Sequence, residues 1–103
     1  TEPGAFVYTE VQVAVPFENA PWRDRNPVLR KQKGLLSKIW LSGRNTNTLG
    51  GLDAFDTVEN ALDFAVNEFP KTAAAMNAAL YTRVFDARVT EDASRGLKSP
   101  YYI

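Results

Sequence analysis

Residues 34–56 read GLLSKIWLSGRNTNTLGGLDAFD, and the fold turns on how this stretch is divided. Two apolar-rich runs, 35–41 and 52–55, flank a polar segment, 42–48, in which Gly43 and the Asn45-Thr46-Asn47 cluster supply turn chemistry. That is the signature of a β-hairpin with a longer loop. Gly50 and Gly51 open the second strand of the pair, where paired glycines point to a bulge or a close backbone approach. Alternation along the first strand puts Leu35, Ser37, Ile39 and Leu41 on one face and Leu36, Lys38 and Trp40 on the other. A lysine and a tryptophan side by side in a strand are the unusual feature.

Working outward, residues 5–15 (AFVYTEVQVAV) are β-branched and aromatic without helical period, so they predict a strand. Val7, Thr9, Val11 and Val13 form its core face; Phe6, Tyr8, Glu10 and Gln12 form the other. Three prolines, Pro16, Pro21 and Pro27, forbid one long helix in the connection that follows. A short helix is expected with Asn26 as N-cap, Pro27 at the first helical position and Gly34 as its stop. After the hairpin, Asp56 reads as an N-cap with Glu59 closing a capping box. Val58, Ala61, Leu62, Ala65, Val66 and Phe69 then repeat at helical spacing, until Pro70 breaks or kinks the helix. Residues 71–80 are alanine-rich and resume helix. Residues 81–89 (YTRVFDARV) predict the last strand, with Thr82, Val84 and Asp86 alternating against Tyr81, Arg83 and Phe85. The tail, 90–103, opens polar and closes on Pro100-Tyr101-Tyr102-Ile103, an apolar end expected to dock on its own subunit or across a dimer.

The element order is β-α-β-β-α-β within a single domain, 1–103, so the predicted fold class is α+β: ferredoxin-like, with a four-stranded antiparallel sheet. The first strand should lie between the third and the last. Helices then cover one sheet face. The other, assigned Phe6, Tyr8, Leu36, Trp40 and Phe55, needs a cover of its own. Pairing of two sheets in a homodimer, a dimeric α+β barrel, is the simplest one.

Composition narrows the chemistry. Twelve basic residues balance twelve acidic ones, so nucleic acid and anionic membrane surfaces are not expected partners. Cysteine and histidine are absent. That excludes disulfides, thiolate catalysis and a Ser-His-Asp triad, and leaves no metal site or resident cofactor expected. A haem-handling role lacks its usual proximal ligand. No apolar run approaches the ~20 residues of a membrane span, no signal peptide is visible, and a cytoplasmic location is the expectation.

The segments GLLSKIWLSG, NTNTLGG and FDTVENALDF, followed by TRVFDA, resemble the YdhR-type mono-oxygenase family of the dimeric α+β-barrel superfamily. The resemblance runs from about Val7 to Val89. It implies a ferredoxin-like subunit, a homodimer, and kinship with cofactor-independent mono-oxygenases that act on aromatic or polyketide-like small molecules. The proline-rich segment between the first two strands departs from the longer helix common in such proteins, so one wall of any pocket beneath it differs.

Candidate site residues come from the central strands. Glu10, Lys38 and Arg83 are placed by alternation on one face with Tyr8, Trp40 and Phe85, Glu10 and Arg83 being candidate cross-strand neighbours. As a catalytic set, Glu10 abstracts a proton while Lys38 and Arg83 stabilise an enolate, phenolate or carboxylate inside an aromatic-walled cavity. The alternative is a structural Glu-Arg pair within a dimer interface. Trp40 and Trp22 either stack on a flat ligand or anchor core and interface. Asp53, Asp56 and Glu59 form a carboxylate cluster, read either as a hard-cation site or, for Asp56 and Glu59, as helix capping. The whole protein is then either such an enzyme or binder, or a non-catalytic dimeric ligand-binding or stress-responsive module. A cavity of a few hundred Å³ separates the two.

Overall fold

The structure of the protein, a computed structural model, describes residues 2–102. Ile103, the end of the predicted docking tail, and Thr1 lie outside the described residues. The four strands are β1 (Ala5–Gln12), β2 (Leu35–Ser42), β3 (Thr48–Phe55) and β4 (Leu80–Asp86). They form one antiparallel sheet in the order β2-β3-β1-β4, so β1 is flanked by β3 and β4 as expected of the ferredoxin-like arrangement. β1 ends at Gln12 rather than Val15 because its neighbours run out: Gln12 pairs with Thr48 and Val11 with Leu80, the first residues of β3 and β4.

Gly50 and Gly51 lie inside β3, not at its start. The close approach they predict is present. A Cβ on Gly50 would stand 1.9 Å from the Thr9 carbonyl oxygen, and one on Gly51 2.6 Å from that of Ile39. The hairpin also carries a register shift between Leu35 and Ser37. One extra residue on β2 sends Leu35 to the face opposite from Ser37, Ile39 and Leu41.

The first helix differs from expectation. After a 3-10 turn at Phe17–Asn19, α1 runs over Trp22–Leu29, with Pro21 before it and Pro27 inside it. Asn26 is therefore not its N-cap. Its side chain is committed elsewhere, accepting a hydrogen bond from the Trp40 indole. Gly34 is not its stop either: the helix ends at Leu29 with Arg30 as C-cap, and Gly34 lies in the turn just before β2, at φ +81°, a conformation that suits glycine.

α2 (Val58–Asp63) is capped one residue later than predicted: the Thr57 hydroxyl accepts from the Asn60 N–H at 3.1 Å, and Asp56 instead holds the Asn60 amide at 2.8 Å. The helix widens into a π turn at Phe64–Glu68, where the Phe69 N–H donates to the Phe64 carbonyl, and continues as α3 (Phe69–Ala75). Pro70 accounts for the widening. Its ring clashes with the carbonyl four residues back and it has no N–H to give, and a π turn absorbs both faults without a break. The inserted residue brings Phe69 and Ala73, rather than the positions before them, into line with the buried residues of α2. Ala61, Phe64, Ala65, Phe69 and Ala73 are buried, while Leu62 and Val66, predicted in the stripe, face solvent.

α4 (Glu91–Gly96) and the tail pack back on the same chain. The Tyr102 hydroxyl donates to the Ala87 carbonyl at 2.7 Å, and the Tyr101 ring meets Phe6 edge-on at 4.9 Å. Helices α1 to α3 lie over one sheet face. The core there consists of Ala5, Val7 and Val11 of β1, Phe55 of β3, and the buried helix residues. α1 contributes only Leu29 to this core, so the layer beneath it is incompletely filled.

Candidate functional site: a cavity under the first helix

That incomplete filling leaves a cavity of about 290 Å³ between sheet and helices. Its floor is made by Thr9 and Val11 of β1, Lys38 and Trp40 of β2 and Leu49 of β3. Trp22, Arg25 and Leu29 of α1 form one wall; Phe64, Phe69 and Thr72 form the other. The deep residues Thr9, Val11, Phe64 and Phe69 are buried, whereas Pro21, Ala75 and Met76 at the rim are exposed. The cavity thus has a buried, mostly apolar end and an open end.

Polar groups are few and fixed. The Lys38 ammonium donates to Asp53 Oδ1 at 2.8 Å and sits 4.5 Å from the centre of the Trp40 ring. The pair is enclosed: the Lys38 side chain is 11% exposed and that of Asp53 1%. Gly51 makes room for it, since a Cβ there would come within 2.8 Å of Lys38 Nζ. Asp53 Oδ2 is buried with no hydrogen-bond partner. Burial pushes the Asp53 carboxyl above its usual range, and the charge and hydrogen bond of Lys38 act against that. Trp40 is held by its own bond, Nε1 donating to Asn26 Oδ1 at 2.9 Å, and by the edge of Phe17. Phe17 stacks in turn on Trp22, giving a run of three aromatic rings along one side. At the open end Arg25 donates to Thr72 Oγ1 at 3.1 Å, tying α1 to α3.

The structure therefore brings together three of the seven predicted site residues, Trp22, Lys38 and Trp40, and separates them from the other four. Tyr8, Glu10, Arg83 and Phe85 lie on the outer face of the sheet, where Tyr8 is paired with Arg83, Glu10 with Tyr81 and Phe6 with Phe85. Lys38 and Trp40 are on the inner face, paired with Asp53 and Gly51, which are paired in turn with Val7 and Thr9. The single shared face is thus corrected, and so is the outward placement of Phe55, which is fully buried in the core. Ile39 and Leu41, not Lys38 and Trp40, face outward, each more than a third exposed. Two physical reasons account for the inversion. β2 is an edge strand, so its apolar side chains are not obliged to face the core, and the Lys38 charge is cancelled on the inner face by Asp53. Glu10 and Arg83 are diagonal rather than directly opposite. Glu10 accepts from the Tyr8 hydroxyl at 2.9 Å, and Arg83 donates to the Tyr81 hydroxyl.

Asp53, Asn26, Arg25 and Thr72 were not singled out as site residues. For Asp53 a signal existed: Lys38 and Asp53 each lie four residues inward from the Ser42–Leu49 pair that closes the loop, so hairpin register alone makes them partners. For Arg25 and Thr72 there is none, because their meeting depends on how two helices pack. Among the described residues no group of three or more His, Cys, Asp or Glu side chains is placed to hold a metal ion; Asp53 faces Lys38 while Asp56 faces Asn60. Among them, too, no helix is long and apolar enough to cross a membrane. Compared with known proteins, the chain matches no family model and no curated sequence.

Proposed function

We propose that the protein is a homodimeric small-molecule binder whose ligand is a flat, largely apolar molecule held between Trp22 and Trp40. The observation that carries this is the cavity itself: about 290 Å³, walled by Trp22, Trp40, Phe64 and Phe69, with the ammonium of Lys38 on its floor. The volume is at the lower end of small-molecule sites, and a dry apolar pocket with few polar groups is their usual construction. Lys38 donates to an oxygen on the ligand, and Asp53 keeps the ammonium over the Trp40 ring. In a thermal-shift titration, methyl naphthoate raises Tm in a saturable way. Val11→Phe, which drives a ring into the cavity, abolishes that shift. A shift that survives in the filled variant places the ligand elsewhere and ends this reading.

The homodimer rests on the outer face of the sheet. Ile39, Leu41, Tyr81 and Phe85 are each 40–48% exposed there. Glu10 and Arg83 share this face, and among the described residues neither forms an ion pair. A two-fold axis lets each chain set its carboxylate against the other's guanidinium and cover the apolar side chains at once. The occupant is therefore a second copy of the chain. Ile39→Glu gives a monomer in sedimentation equilibrium; a protein that is monomeric without the substitution removes this part of the reading.

Cofactor-independent mono-oxygenation, which the YdhR-type resemblance implies, is the second reading. What favours it is Asp53, a buried carboxyl with one unpartnered oxygen and a raised pKa, which does not itself line the cavity but is bonded to Lys38, which does. Glu10, on the other side of the sheet, does not line the cavity. The test is oxygen uptake with anthrone, whose methylene is oxidised to a carbonyl as one dioxygen is consumed and one water released. Uptake no faster than the spontaneous rate eliminates turnover of this kind.

A further inference from the structure

The cavity's charges are not evenly matched. Of the two cations that line it, Lys38 has its carboxylate, Asp53, at 2.8 Å, so the floor is a neutral ion pair. Arg25 has none. Among the described residues it takes part in no ion pair, and its side chain bonds only the neutral hydroxyl of Thr72. It is partly buried, beside the exposed rim residues Pro21, Ala75 and Met76. A guanidinium has five N–H donors, and a bond to one hydroxyl leaves the fork free for a planar anion. We propose that the ligand is a monoanion, an apolar body carrying one carboxylate or comparable acid group, bound with the acid at the mouth against Arg25 and the body over the Lys38–Asp53 pair.

The opposite orientation is disfavoured on electrostatic grounds. An anion pressed onto the floor would meet a lysine already neutralised by Asp53 and bring a net negative charge into the most buried part of the cavity. At the mouth the same anion cancels an existing positive charge, and solvent reaches both. Lys38 then donates to a neutral oxygen or to the π-face of the ligand, and Arg25 is the specificity-determining residue. Its position also has a structural part, because the Arg25–Thr72 hydrogen bond spans from α1 to α3. An acid arriving at the mouth takes the donors that this bond leaves free, so α1 and α3 stay tied while it binds.

The inference rests on the cavity being a ligand site, and calorimetry with a matched pair of probes, naphthoate and its methyl ester, separates the two claims. Naphthoate is expected to bind the protein about tenfold or more tighter than the ester. In Arg25→Gln the ratio of the two affinities falls to about one; in Lys71→Gln, which removes an exposed cation outside the cavity, it persists. Equal affinity for acid and ester in the unaltered protein, or a preference for acid that survives Arg25→Gln, overturns the assignment of Arg25 while leaving the cavity as a binding site. Failure of both probes to bind overturns the cavity reading, and the orientation with it.

Discussion

Lys38→Met is the sharpest perturbation of the site, because it removes one partner of an enclosed ion pair and leaves the other. Methionine keeps the unbranched apolar stem of the side chain, one atom shorter, so the floor of the cavity stays largely filled. What changes is Asp53, 1% exposed, with Oδ2 already unpartnered and Oδ1 now losing its only bond. Breaking one side of a buried pair costs about 3–5 kcal/mol. Against the 5–15 kcal/mol typical of a domain's total stability, that is a large fraction. Tm falls by about 4–8 °C for each kcal/mol in a chain of this size.

The cost depends on pH, and its sign follows from the carboxyl. Burial holds the Asp53 pKa above its ordinary 3.8 even with Lys38 present. Where the folded pKa is the higher one, stability from this group is complete below the ordinary value and is lost as pH rises through the folded value. Removing Lys38 takes away the influence that lowers the pKa, so the folded value climbs and the window of loss extends upward. The gap between Lys38→Met and the unaltered protein is therefore small near pH 4 and widens towards pH 8, with a slope of at most about 1.4 kcal/mol per pH unit for one proton. Urea unfolding at fixed protein concentration across this range measures it, and Lys38→Met/Asp53→Leu recovers most of the loss. A Lys38→Met variant within about 0.5 kcal/mol of the parent at pH 8 would refute the buried pair, since that is the scatter of ordinary surface substitutions.

Two further outcomes test the architecture around the site. Gly50→Ala places a Cβ 1.9 Å from the Thr9 carbonyl oxygen; backbone cannot step aside as a side chain can, so stability drops by about 1–3 kcal/mol or more in denaturant unfolding. Asn26→Ala leaves the Trp40 indole N–H without its acceptor, which costs about 1–3 kcal/mol if it stays buried and shifts the tryptophan emission if it turns to water; an unchanged spectrum with unchanged stability would mean that Asn26 does not hold the ring.

How much of this was legible in the residues differs from element to element. Strand identity and order were, because alternation in β1 and β4 and the polar loop at 42–48 act over a few residues and need no partner. The helix after Asp56 was legible in kind but not in phase. Thr57 took the cap, the buried stripe runs through Ala61, Phe64 and Ala65 rather than Leu62 and Val66, and the π turn before Pro70 keeps Phe69 and Ala73 in line with it. The inner and outer faces of β2 were not legible from hydropathy. Ile39 and Leu41 look like core, and Lys38 looks like surface, until Asp53 is placed opposite by the hairpin register. Reading partners across the loop, rather than polarity along one strand, would have put Lys38 and Trp40 on the inner face. Helix α1 was misplaced because Pro27 suits a first helical position as well as the interior position it occupies, and the choice was settled by tertiary structure: Asn26 bonds Trp40 instead of capping. The cavity follows from that same shift and was out of reach of the sequence.

In the function proposed above, a flat ligand lies inside the subunit, between the helices and the inner face of the sheet. A crystal structure of the protein soaked with methyl naphthoate tests it most directly. Ring density is expected between Trp22 and Trp40, over Lys38 Nζ, with the ester group towards Arg25. Density on the outer face beside Glu10 and Arg83, or a cavity closed by its own side chains, would contradict it.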